Sequence, residues 1–140
     1  MLCIELLGWE TARAEASRIR TLVFVEEQRV PPEIEMDAMD AVSLHALAYV
    51  GGHAVGTGRL LPDGHIGRMA VLRESRALGI GSAILRRLVE EAGRRGLREA
   101  VLSAQTHALD FYRKHGFTPI GEPYEEAGIP HQEMRRGLNS

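Results

Sequence analysis

The residues best suited to chemistry are Arg76-Ala77-Leu78-Gly79-Ile80-Gly81, which stand between an apolar run ending at Val71 and an amphipathic stretch reaching Arg95. Gly79 and Gly81 lack a Cβ, so their backbone N–H groups can come close to an anion. The helix that follows turns its positive end to the same place, and Arg76 adds a cation. Strand, glycine loop and helix in this order point to a ligand carrying a diphosphate. The loop lacks the Gly-Lys-Ser/Thr ending of a nucleoside-triphosphate site. Ile84 also stands where a dinucleotide fingerprint would carry its third glycine. The same six residues would equally serve as an ordinary helix start, so the decision falls to their surroundings.

Those surroundings are bounded by composition. A chain of 140 residues, 44% of them hydrophobic, can bury one substantial core, which implies a single domain over residues 1–140. A net charge of -2 argues against a surface built for nucleic acid or anionic membrane. No segment is long and apolar enough to span a bilayer, and the N-terminus lacks the basic start of a signal peptide, so a cytoplasmic protein is expected. Cys3 is the only cysteine and sits in an apolar run, where a buried structural thiol is expected. Six histidines without a His-Glu-x-x-His pattern give no metal site.

The elements that must position the loop follow from periodicity. Residues 2 to 7 read as a strand. Thr11 is a candidate N-cap for a helix whose buried stripe is Ala12, Ala16, Ile19 and Val23, ending near Glu26 to Gln28, before Pro31-Pro32. Leu44 to Val50, His53 to Leu61 and His65 to Val71 form an antiparallel meander joined by Gly51-Gly52 and Pro62-Asp63-Gly64. Ile80, Ile84, Leu88 and Ala92 line one side of a helix stopped by Gly96, with Glu90–Arg94 and Glu91–Arg95 as pairs on its outer face. A strand from Ala100 to Ala104 completes a right-handed β-α-β unit with parallel strands. Thr106 can cap a helix with Leu109, Phe111 and Tyr112, and Phe117 to Ile120 and His131 to Arg136 supply two last strands. The fold class is therefore α/β with a mixed sheet of α+β type: an antiparallel meander, a β-α-β unit and a C-terminal α-β-β segment.

This layout resembles the GNAT superfamily of acyl-CoA N-acyltransferases over nearly the whole chain. The resemblance is carried by Met69-Ala70-Val71 ahead of the Arg-x-x-Gly-x-Gly loop and by Phe111-Tyr112-Arg113-Lys114-His115-Gly116-Phe117 after the next strand. Val23 to Pro31, Asp37, Asp40, His45, Gly56 to Leu60, Ala104-Gln105 and Gly128 to His131 look like the YjcF/ElaA-like branch. The resemblance implies acetyl-CoA as cosubstrate, no metal, and a V-shaped gap between two strands for the pantetheine arm. The cofactor-binding residues would be Met69, Ala70, Val71, Arg76, Ala77, Leu78, Gly79, Ile80, Gly81, Ser82, Gln105, Phe111 and Tyr112. The partner would be a small-molecule or peptide amine acceptor, and a homodimer is a common arrangement in that family.

Direct transfer needs a neutral amine, a donor for the developing oxyanion and stabilisation of the departing thiolate. By the resemblance, Tyr112 faces the thiolate, although a tyrosine packed beside Phe111 and Phe117 would serve structure alone. Glu27, His45 and His131 are candidate bases or water-holders on the acceptor side. Each also reads as an ordinary helix end or hydrogen-bonded strand residue. Glu26, Glu27, Glu33, Glu35, Asp37 and Asp40 face only Arg29 in their segment, and Glu122, Glu125 and Glu126 form a second acidic group. If both border the entrance they favour a cationic acceptor; a solvated acidic surface is the alternative. The first group speaks against aminoacyl-tRNA as acceptor. Arg73, Arg76, Arg113 and Lys114 gather on the cofactor side. A catalytically weak acyl-CoA-binding regulatory module is the rival reading.

Overall fold

The computed structural model describes residues 1–35 and 37–138, excluding the side chains of Ile34 and Glu35. Strand β1 (Leu2–Leu7) is followed by α1 (Trp9–Arg20), a π-helical segment (Thr21–Glu27), a short helix α2 (Pro32–Glu35) and a 3-10 turn (Ala38–Val42). The meander β2 (Leu44–Val50), β3 (His53–Leu60) and β4 (His65–Val71) leads to α3 (Ile80–Arg94) and β5 (Glu99–Gln105). Helix α4 (Leu109–Lys114) and the hairpin β6 (Thr118–Glu126) and β7 (Ile129–Gly137) complete the chain. The seven strands form one sheet in the order β1-β2-β3-β4-β5-β7-β6, with β4 and β5 parallel and the other neighbours antiparallel.

Helices cover both faces, because the strands alternate with period two. Ala46 and Ala48 of β2 face α3, joining Ile80, Ile84, Leu85, Leu88 and Ala92, whereas Leu47 joins Ala12, Ala16, Ile19 and Val23 of the α1 side. Helix α3 lies very close to β3. A Cβ built on Gly56 or Gly58 would stand 2.9 Å from a methyl carbon of Ile84, so only glycine lets the helix settle there.

Several local expectations change. Helix α1 begins two residues before Thr11: Gly8 is extended and its carbonyl accepts the Ala12 amide at 3.0 Å, which leaves Thr11 inside the first turn. Thr106 opens a 3-10 turn (Thr106–Ala108), and α4 starts only after Ala108. Arg94 reaches back to Glu91 rather than to Glu90, while Glu90 meets Arg87. Cys3 is exposed, because β1 is an edge strand whose covering helix packs further along the sheet. The last two strands extend beyond their expected bounds and make a long hairpin with an irregularity between Ile120 and Tyr124. Among the described residues, no helix is long and apolar enough to cross a membrane, and no group of His, Cys, Asp and Glu is arranged to hold a metal ion.

Two features of this frame shape the cleft. The first is β4, which places two residues, Arg68 and Met69, between its partners Gly67 and Ala70 where β3 places only Gly58 between Thr57 and Arg59. The extra residue forms a bulge at which Arg68 takes a φ of 50°. Strands β4 and β5 pair only at His65↔Val101 and Ile66↔Leu102, so the rest of the β4 edge stands open.

The second is a buried ionic cluster beneath the cleft. Arg20 donates to both carboxylate oxygens of Asp40 at 2.9 and 3.1 Å, and Arg59 donates to Asp40 at 3.1 Å and to Asp37 at 2.7 Å. Arg68 joins through Asp37 at 3.1 Å. Burial pushes the Asp40 carboxyl up, but the hydrogen bonds and charges of Arg20 and Arg59 outweigh it and hold it below the usual carboxylate range. Asp37 is lowered by the same balance through Arg59 and Arg68. Asp40→Ala removes the carboxylate that two buried guanidiniums share and should cost about 3 kcal/mol or more in chemical denaturation at neutral pH. Because the folded-state values are lowered, this stabilisation is complete above about pH 4 and is lost as pH falls through them. The gap between wild type and variant should therefore shrink in acid; a gap independent of pH would refute the ionic origin.

Candidate active site

A cleft of about 620 Å³ opens between the π-helical segment, the splayed β4 and β5, the start of α4 and the β6–β7 hairpin. A second hollow of about 510 Å³ adjoins it along Met69 to Val71, Arg76, Ala108 and Tyr112, and runs on to Gly79, Gly81, Ser82 and Phe111. Nearly all the residues expected on the cofactor side are thus brought together, with Gln105 in the main cleft instead of the hollow. The exception is Leu78, whose side chain is exposed and lines neither space.

The loop owes its shape to backbone angles. Ala77 and Gly79 both take left-handed conformations, with φ of 66° and 79°. A Cβ on Gly79 would meet no atom within 4 Å, so glycine here answers to backbone conformation and leaves the approach open. Helix α3 begins at Ile80 with no side-chain cap, and the N–H groups of its first turn have no partner within the helix. These donors and the positive helix end are the features that an anion site requires. The Ser82 hydroxyl sits in the same turn, 3.0 Å from Nε2 of His115. Burial, reinforced by Arg86 and Arg136, lowers the pKa of His115.

Tyr112 stands where the two spaces meet. Its ring packs edge-on to Phe111 at 5.0 Å and Phe117 at 6.2 Å, and burial pushes the phenol up to about 12. It is therefore protonated throughout the neutral range and able to donate a hydrogen bond.

The expected bases fare differently. Glu27 lines the cleft at the end of the π-helical segment, but both its oxygens accept bonds from Arg76 at 2.6 Å, and Arg73 lies 3.7 Å away. The Arg76 hydrogen bonds lead the effects that hold its carboxyl below the usual range, which makes it a poor proton acceptor in this state. His45 does not line the cleft. It is buried against Trp9, ring centroids 4.7 Å apart, and its Nε2 donates to the Asp40 carbonyl at 2.9 Å. Burial lowers its pKa, and the neutral ring braces the ionic cluster. His131 does line the cleft. Its Nδ1 donates to the Ile129 carbonyl at 2.7 Å, which leaves Nε2 as the acceptor of the neutral ring, and the ring stacks on Tyr124.

The acidic entrance is also redrawn. Asp37 and Asp40 are paired with Arg20, Arg59 and Arg68, and Glu27 with Arg76 and Arg73, so none of these three carboxylates is the unpaired acidic group that the segment suggested. The Glu35 side chain lies outside the described residues. Glu126 of the second group does line the cleft. The cleft residues Gln28, His107 and Ser103 were not among the expected site residues. Gln28 exchanges amide hydrogen bonds with the expected Gln105 at 2.9 and 3.4 Å, and His107 Nε2 donates to the same Gln105 oxygen at 2.7 Å. Ser103 of β5 bonds Tyr124 of β6 across β7. Their only sequence signal was proximity to the end of a strand or helix.

A seven-stranded mixed sheet that parts beside an uncapped helix N-terminus defines the acyl-CoA N-acyltransferase class. The comparisons agree: residues 13–138 match the model of the acetyltransferase (GNAT) domain, and the chain belongs to that family. It is 39% identical over 126 residues to the uncharacterized N-acetyltransferase YjcF of Bacillus subtilis, covering 87% of this chain and 90% of that protein. Protein ElaA of Escherichia coli is 32% identical over 127 residues, covering 85% and 83%. The crystal structure of an acyl-CoA N-acyltransferase from Pseudomonas aeruginosa superposes with a TM-score of 0.87 at 32% identity, over 97% of this chain and 99% of that one.

Gly79→Val places a β-branched residue at a left-handed φ. It should cost about 1–3 kcal/mol of stability and weaken CoA binding at least tenfold, read by thermal melting and calorimetry. Unchanged affinity in the folded variant would remove the loop from the anion site.

Proposed function

We propose that the chain transfers an acetyl group from acetyl-CoA to a primary amine by direct attack, without a covalent enzyme intermediate. The observation that carries this reading is the open β4 edge, which runs from the uncapped start of α3 to a half-buried, protonated tyrosine. The diphosphate would lie on the N–H groups of Ile80, Gly81 and Ser82. The pantetheine amides would pair with the free edge at Met69 to Val71, taking the place of a neighbouring strand. Acetyl-CoA supplies an activated acyl carbon; this chain's residues orient the reactants, hold the proton and keep out water.

In the transfer, the amine nitrogen forms its bond to the thioester carbon and the carbon–sulfur bond breaks. A backbone amide of the β4 bulge steadies the developing oxyanion, and Tyr112 donates a hydrogen bond to the departing thiolate. A phenol held near 12 would give up its proton to a thiolate of about 8.5 only steeply uphill, so stabilisation without full transfer is its part. The amine must arrive neutral. For a lysine-like amine near 10.4 this costs about 4 to 5 kcal/mol at pH 7, and for an α-amine near 8 little over 1 kcal/mol. With Nδ1 committed to the Ile129 carbonyl and its ring lining the cleft, His131 is the base or water-holder. The acceptor would be a small molecule or peptide carrying such an amine.

A second reading, an acyl-CoA-binding regulatory module, draws on the commitment of both Glu27 and His45 to internal partners. The experiment that separates them is calorimetric titration with acetyl-CoA followed by thiol release across a panel of amines. One-to-one binding with turnover supports the enzyme, binding without turnover supports the module, and no binding by folded protein removes both. Tyr112→Phe should lower turnover by roughly 10- to 100-fold while leaving CoA affinity nearly intact. Full activity in that variant would assign Tyr112 to packing alone.

A further inference from the structure

Arg76 belongs to the loop that would hold a diphosphate, yet all three of its guanidinium nitrogens are engaged within the protein. Its Nε donates to the Val71 carbonyl at 2.9 Å, and its two terminal nitrogens donate to the two oxygens of Glu27 at 2.6 Å each. Arg73 reaches the same carboxylate at 3.7 Å. Arg76 lines both the phosphate hollow and the main cleft, and Glu27 lines the main cleft. One ion pair therefore joins the two sites.

The fork that Arg76 presents to Glu27 is the fork an arginine presents to phosphate oxygens, so a carboxylate and a diphosphate compete for the same donors. Nothing in the burial of the pair prevents an exchange: the Arg76 side chain is 39% exposed and that of Glu27 25%. We propose that Glu27 is an internal competitor for the diphosphate site. In the ligand-free chain it holds Arg76 off the anion; when a diphosphate docks on the start of α3, Arg76 passes to it and the Glu27 carboxylate is bared in the acceptor cleft. Released from Arg76, Glu27 regains an ordinary carboxylate's basicity and pairs with the ammonium of an incoming acceptor. The clasp thus disfavours acceptor binding before the nucleotide is in place and lowers the intrinsic affinity for CoA. This inference rests on the acetyl-CoA reading above.

The test is calorimetric titration of CoA into wild type, Glu27→Gln, Arg76→Gln and the double variant, each checked for folding by circular dichroism. Glu27→Gln should bind CoA roughly fivefold tighter or more, Arg76→Gln should bind it more weakly, and the double variant no tighter than Arg76→Gln. Pantetheine, which lacks the diphosphate, should bind wild type and Glu27→Gln alike. Glu27→Asp, whose shorter side chain cannot span the fork, should shift CoA affinity in the same direction and serves if the glutamine variant does not fold. CoA affinity unchanged or weakened in folded Glu27 variants would overturn the competition while leaving the acetyl-CoA reading intact. Failure of wild type to bind CoA at all would remove the reading itself.

Discussion

The site depends on a shortage of pairing. Strand β4 is the seam between an antiparallel meander and the strand that follows α3, and it bonds its parallel neighbour at only two positions before the bulge at Arg68 turns it aside. Backbone donors and acceptors left open inside a sheet are costly unless water or a ligand satisfies them. In the proposed function, an extended molecule bearing amides along that edge would make good the missing bonds. Close packing of α3 on Gly56 and Gly58 holds the helix, and with it its uncapped N-terminus, in place relative to the gap.

Charge is distributed in the same economical way. The residues between 26 and 40 look like a free acidic surface in sequence, but their partners come from distant elements: Arg20 from α1, Arg59 from β3, Arg68 from the bulge and Arg76 from the loop. The Asp37–Asp40 turn is thereby fastened beneath the cleft, and its carboxylates are consumed by structure. A chain with one lysine and many arginines suits this arrangement, since a guanidinium can bind two acceptors at once and a lysine ammonium cannot do so with the same geometry.

What was legible in the sequence followed from local rules. The meander, with its Gly51-Gly52 and Asp63-Gly64 turns, and the helix over Ile80 to Arg94 match because their periodicity and punctuation are strong. The bend of the glycine loop and the helix start behind it were legible for the same reason. Helix starts were less so: Thr11 and Thr106 are good caps by type, but Gly8 and Ala108 hold the positions, because packing of Trp9 and the turn after β5 decide where each helix begins. Least legible were contacts distant in the chain. Nothing near His45 signals that it will be sealed under Asp40, and nothing near Glu27 signals Arg76, forty-nine positions away. Side-chain roles at such a site are set by tertiary partners, and a segment read by itself lacks them.

The π-helical turn from Thr21 to Glu27 adds a constraint of another kind. Its widened turn, closed by the Gln28 amide on the Val23 carbonyl at 3.0 Å, carries one residue more than an α-helix would need over the same rise. Loss of one residue there would restore a regular helix and swing everything beyond it by about 100° around the axis. Glu27 and Gln28 would then point away from Arg76 and Gln105, although neither had changed identity. Over evolutionary time this stretch should accept substitutions more readily than insertions or deletions: its length is part of the site.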